Sequence, residues 1–293
     1  MADMARMDWM DTLRGGAVVG VVIMHAELSA VSATGHDLPL VHAFNHLLGD
    51  YRMPVLVLLS GVLVPRSVAK GFRSHLRGKV HHILWPYAVW VTFDLVHVFV
   101  DCLVLGKGLP WHLAAQVFYD PHTYLWFLAY LFCFHLLAGV LSLAGPLAPA
   151  LAMPAVFWAH TQVDHSSAEK FLWLFGWFLV GDVLARLLTG RVPAPVVRVS
   201  RHLRVPALAA VGRSSLVYYA SHMLVIVYAV PLLHAAGVTH PGVLWASAVA
   251  VALIVGRALA GVQHRPGWRW LFSWPRRQPA PARAVERQVA LVP

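Results

Sequence analysis

The chain has 293 residues, of which 59% are hydrophobic and only 12% charged, and its mean hydropathy is +0.64. Such a composition excludes an ordinary soluble domain, and apolar runs without polar–apolar alternation exclude an outer-membrane barrel. The net charge of +10 reads as membrane topology rather than nucleic-acid binding, because membrane proteins concentrate Lys and Arg in their cytoplasmic loops.

In chain order, the apolar runs predict an all-α, polytopic transmembrane helix bundle of eight spans. They fall at about 12–32, 43–63, 80–104, 124–144, 146–160, 170–189, 208–233 and 243–262. The first run continues into further spans and has no small-residue cleavage site, so it reads as a retained span. The fifth is short and interrupted by Pro149 and Pro154, which favours a broken or re-entrant segment. The stretch 108–119 carries aromatics suited to the headgroup level and raises the count to as many as ten. With the N-terminus inside, the inner segments hold 20 of the 23 Lys and Arg residues, whereas the outer loops hold Asp37, Asp120, Asp164 and Glu169. Both termini are therefore expected in the cytoplasm, in a multi-pass protein of the cell inner membrane. The domain reading is a membrane-embedded unit over 1–265 and a basic tail over 266–293. After about 275 the tail is rich in Pro, Ala and Arg, the composition of a disordered segment beside the inner leaflet.

Polar residues inside these runs carry the functional expectations, since ionisable groups in a span usually face a partner, a cavity or a substrate path. Ten residues separate Arg14 from His25 in DTLRGGAVVGVVIMHAELSAV. A helix brings that step back to within about 20° of one face, with a rise of roughly 16 Å. Asp11 precedes Arg14 by three residues, close enough to pair with it and hold the guanidinium at the cytoplasmic end, where its planar fork suits phosphates. A low-dielectric site favours a neutral imidazole at His25, able to take a proton from a hydroxyl. The plain alternative is a topological anchor at Arg14 and an interhelical hydrogen-bonder at His25.

Further along, Pro54 kinks or breaks the second span, and Ser60-Gly61 lets another helix approach closely. Tyr51, Arg52 and His222 are candidate substrate contacts, with Arg52 paired to Asp50, to an outer carboxylate or to a polar substrate. The basic loop contributes Arg73, Arg77, Lys79 and His82, a patch suited to anionic lipid or to a phosphorylated cofactor. Asp182 and Arg186 have the spacing of a structural pair. No metal-ligand spacing and no nucleophile elbow is present, so no metal is expected.

Five segments in order resemble the acyltransferase 3 family of integral membrane O-acyltransferases. DWMDTLRGGAVVGVVIMHA is similar to that family's first-helix signature, an Arg followed after ten residues by a His with an Asp upstream. YRMPVLVLLSGVLV, RGKVHHILWPYAVW, YLWFLAYLF and SSLVYYASHMLVI resemble its later motifs, and together the match runs from about residue 8 to 262. Two departures stand out: members commonly have about ten spans, and Lys79-Val80-His81-His82 stands where the family carries Arg-x-x-Arg.

The resemblance implies transfer of an acyl group, acetyl by preference, from acyl-CoA to a hydroxylated acceptor that is a carbohydrate, glycan, lipid or small molecule. It makes His25 the base and Arg14 a donor-binding or orienting group, with Asp11 beside them in the catalytic set; the basic patch of Arg73, Arg77, Lys79 and His82 then joins Arg14 as the expected contacts for the donor's phosphates. Membrane lipids are the other partner and nucleic acid is not one. The competing reading from the residues is a transporter or flippase using the buried Arg, His and Asp side chains as a substrate or proton path; a non-catalytic scaffold is a third.

Overall fold

The computed structural model describes residues 8–121, 123–188 and 204–275. Among these residues the chain is all-α, without a strand. Helices α1 (Asp8–Thr34) and α2 (Pro39–Gly61) are followed by the short α3 (Val64–Val68) and α4 (Phe72–Lys79). A π-helical turn at Val80–Leu84 leads without a break into α5 (Trp85–Val104). Then come α6 (Trp111–Tyr119), α7 (Trp126–Leu143), α8 (Ala148–His160) and α9 (Ser166–Leu187). Helices α10 (Pro206–Arg213), α11 (Ser215–Ala235) and α12 (Pro241–Val262) complete the bundle, and a 3₁₀ turn at Arg269–Leu271 follows.

Among the described residues, six segments are long and apolar enough to cross a membrane: 8–34, 39–68, 72–104, 126–143, 215–235 and 241–262. The fifth predicted run forms α8, whose 13 residues span about 20 Å, short of a hydrocarbon core of about 30 Å. The sixth forms the longer α9, which carries Glu169, Lys170, Asp182 and Arg186. The aromatic stretch before residue 119 is the short α6, which exposes Trp111, Phe118 and Tyr119.

Local chemistry explains where the elements bend. Pro39, Pro206 and Pro241 stand in the first turns of α2, α10 and α12, where a missing N–H is harmless. Pro86 follows the π-helical turn; its ring clashes with the carbonyl four residues back, at His82, and the widened turn relieves that clash. Pro54 lies inside α2, which nevertheless continues to Gly61. Packing rests on glycine. A Cβ at Gly61 would collide with the Phe178 carbonyl, and one at Gly181 with the Leu58 carbonyl, so α2 and α9 cross backbone to backbone. Gly15 and Gly212 do the same for α1 and α10, against Leu208 and Asp11. These are close crossings of the small-residue kind.

Two apolar clusters fill the interior. The larger centres on Leu128, Phe134, Phe178 and Tyr218, and the smaller joins α1, α11 and α12 through Val22, Ala26, Ile226, Leu244 and Ala248. Beyond α12 the packing continues past the expected end of the embedded unit at 265. Leu271 and Phe272 are buried, and the Trp85 and Trp90 indoles donate to the Trp270 and Leu271 carbonyls at 2.7 and 3.0 Å. Residues 266–275 are thus a cap docked on α5. The rest of the predicted tail, 276–293, lies outside the described residues, as do Arg6, Arg191, Arg198 and Arg201.

Candidate active site

Helices α1, α2 and α11 bring together most of the polar residues singled out in the sequence. Arg14 extends from α1 and donates through Nη2 to the Leu59 carbonyl at 3.1 Å. The last carbonyls of a helix have no partner within it, and a cation there also meets the negative end of the helix dipole. Arg14 therefore caps α2. The predicted pair with Asp11 is present but loose, at 4.0 Å, with the Asp11 carboxylate almost fully buried.

His25 lies half-buried on α1, its ring 5.2 Å from that of His222 on α11. His222 is 1% exposed. Its Nδ1 lies 2.7 Å from the Tyr219 carbonyl, a contact that fixes the proton on Nδ1, and Nε2 has no hydrogen-bond partner. Tyr124 stands edge-on to the His222 ring at 5.6 Å and donates to the Ala220 carbonyl, while the Tyr219 hydroxyl donates to the Tyr124 carbonyl. The histidines thus form a pair with one ring locked and one bare acceptor nitrogen.

Alongside His25, spanning Gly20 to Glu27 of α1, lies a buried polar network. The Arg52 guanidinium donates to the Gly20 carbonyl at 2.9 Å, and to the side-chain and backbone oxygens of Asn45, both at 3.2 Å. The Asn45 amide in turn donates to Glu27 at 2.5 Å. His42, at the exposed rim, lies 3.4 Å from the other Glu27 oxygen. Arg52 is also within electrostatic reach of both His25 and Glu27. Its partner is therefore neither Asp50 nor an outer-loop carboxylate but Glu27 on α1, reached through Asn45. Sequence reasoning missed both Glu27 and Asn45. The signals were a carboxylate inside an apolar run, and an Asn two helical turns before Arg52 on the same face.

Towards the Arg14 end a cavity of about 140 Å³ opens between α1, α2, the π-helical turn, α7 and α11. Arg14, Ser60, His82 and Ser215 form its polar walls; Val18, Phe127 and Tyr219 are among its apolar ones. Val18 lies two turns before His25 and Tyr219 one turn before His222, so the cavity ends roughly 5–10 Å short of the level of the two histidines.

The donor set divides. His82 shares the cavity with Arg14, and Lys79 is close enough for its charge to interact with that of Arg14. Arg73 and Arg77 are exposed and line a separate open groove with Lys70. The helical phase from 72 to 79 turns them away from the bundle, whereas His75 faces inward and bonds to Ser67 and to the His135 carbonyl. Tyr51 is 64% exposed and points away from its neighbour Arg52. Asp182 is fully buried and held by Arg186 at 2.9 Å, with Ser142 as a second partner of that guanidinium; the pair is structural. Among the described residues no group of His, Cys, Asp or Glu side chains is arranged to hold a metal ion.

A multi-helix bundle with a polar seam of Arg, His and Glu running along its first helix defines the class: a polytopic helical membrane protein with buried polar side chains in its interior. The family model described as an acyltransferase domain, Acyl_transf_3, matches residues 7–144, just under half of the chain, so that segment carries an acyltransferase 3 domain, which supports a membrane acyltransferase. No curated protein and no solved structure matches the chain.

Proposed function

We propose that the protein is an inner-membrane O-acyltransferase that moves an acyl group, acetyl by preference, from acyl-CoA to a hydroxyl of a carbohydrate, glycan, lipid or small-molecule acceptor. The observation that carries the reading is the His25–His222 pair above a cavity that opens at the Arg14 end, within a chain that carries an acyltransferase 3 domain. In this account the thioester reaches His25 from the cavity, which requires the Tyr219 ring to yield when the donor binds. His25 takes the proton of the acceptor hydroxyl as its oxygen attacks the thioester carbonyl. The coenzyme A sulfur leaves and the proton is returned to it. A positioned base contributes about 10²–10⁴ in rate, and fixing both reactants adds more. Arg14 and Asp11 anchor the cytoplasmic end of the seam, and His222 steadies the His25 ring.

The topology follows the same reading. Both termini face the cytoplasm, and α8 and α9 pair into a hairpin that completes eight crossings. The Glu27–Asn45–Arg52 network then lies towards the opposite face, on the side from which the acceptor arrives.

The test is release of free CoA by the purified protein from acetyl-CoA, with water, glycerol or simple sugars as acceptors. Release dependent on His25 supports transfer. A protein that moves a solute across proteoliposomes and leaves acetyl-CoA intact is a transporter, and the reading fails.

A further inference from the structure

A second, larger cavity of about 460 Å³ adjoins the first, and the two share His82, Ser215 and Leu216 as walls. Apart from His81, its other walls come from elements beyond the segment that matches the family, among them Arg213 at the end of α10, Gln263 and His264 after α12, and Arg269 and Trp274 from the docked cap. No carboxylate lies among its described walls. Two guanidinium groups and three imidazoles therefore line one space whose described walls hold no carboxylate, an arrangement that attracts phosphate. The space is built rather than incidental. Gln263 donates to Ser214 at 3.0 Å and ties α12 to the start of α11. The Trp274 amide donates to the His81 carbonyl at 3.0 Å. The Trp274 indole stacks on His81, with centroids 5.9 Å apart and planes 16° apart, and remains 43% exposed.

We infer that this cap cavity holds the phosphorylated nucleotide end of the acyl donor, with Arg213 and Arg269 on its phosphates and Trp274 against its base. The inference rests on the proposed donor being acyl-CoA. Coenzyme A carries a 3′-phosphate and a diphosphate at one end and a narrow, neutral pantetheine arm at the other. The two cavities match that division: the cationic one is wide and the inner one is narrow and mainly apolar, and the shared walls let the arm pass from one to the other. The basic groove on α4, with Arg73 and Arg77, lines neither cavity.

The experiment compares binding of CoA, 3′-dephospho-CoA and pantetheine to the full-length protein in detergent, for the parent, Arg213→Gln, Arg269→Gln and the pair Arg73→Gln/Arg77→Gln. Melting temperatures are recorded for each, and Arg213→Lys and Arg269→Lys serve as charge-retaining controls. The expected result is about tenfold weaker CoA binding for each cap variant, partial recovery in the Lys forms, and unchanged pantetheine binding. Loss confined to the Arg73/Arg77 variant overturns the inference and leaves the acyltransferase reading standing. So does a cap variant that binds CoA as the parent does but is no longer retained by phosphatidylglycerol nanodiscs, which marks the cavity as a lipid headgroup site. A parent protein that binds none of the three ligands refutes both.

Discussion

Replacing Asn45 by leucine removes the amide that joins two buried charges. Asn45, Glu27 and Arg52 are 6%, 4% and 9% exposed. The substitution deletes the donor to Glu27 and one of the acceptors of Arg52. Arg52 keeps the Gly20 carbonyl and the Asn45 backbone oxygen, so most of the loss falls on Glu27. A neutral interhelical hydrogen bond in a membrane protein is worth only about 0.6 kcal/mol. Bonds to charged groups are worth about 1.5–3 kcal/mol, and a charge left unsatisfied adds its desolvation penalty. The expected destabilisation is therefore about 3 kcal/mol, which lowers the melting temperature by roughly 6–10 °C. Thermal unfolding in detergent measures it, and a cycle with Glu27→Leu should show coupling of about 1–2 kcal/mol. An Asn45→Leu protein that melts with the parent and shows no coupling to position 27 refutes the reasoning, because the two charges then do not depend on the bridge.

Two further predictions concern packing and the structural ion pair. Gly61→Ala should lower stability by about 1–3 kcal/mol, since the added methyl meets the Phe178 backbone. Gly16→Ala, where the nearest atom is a Leu208 methyl at 3.9 Å, should be neutral, and equal melting curves for the two variants would contradict the crossing described here. Arg186→Leu strands the fully buried Asp182 and should destabilise by about 3–5 kcal/mol. The double variant Asp182→Leu/Arg186→Leu should recover most of that, and a double variant as unstable as the single one would show that the carboxylate is not the source.

The sequence made the helices legible because their apolar runs are long, and the 3.6-residue period placed Arg14 and His25 on one stripe without further information. Composition could not settle α8 and α9. One is too short to span alone, and the other carries charges, of which Asp182 is concealed by packing against α2 while Glu169 and Lys170 are exposed. The site was legible along α1, where spacing alone fixes direction, but not across helices. That His222 stands beside His25, and that Arg52 reaches Glu27 through Asn45, follows from the way α1 packs against α2 and α11, and no local pattern encodes that. The basic loop misled for the same reason: its charges are adjacent in sequence, yet one turn of α4 sends Arg73 and Arg77 outward while the π-helical turn before Pro86 sends His82 into the cavity. The cap was invisible because its Trp and Arg residues have the composition of a tail.

The central claim, that the His25 imidazole handles the acceptor's proton, is tested most directly by single-turnover acyl transfer from radiolabelled acetyl-CoA with purified parent and His25→Ala proteins of matched melting temperature. The account predicts unchanged donor binding and a rate of transfer lowered by about 10²–10⁴. A His25→Ala protein that transfers the acetyl group at close to the parental rate would contradict it.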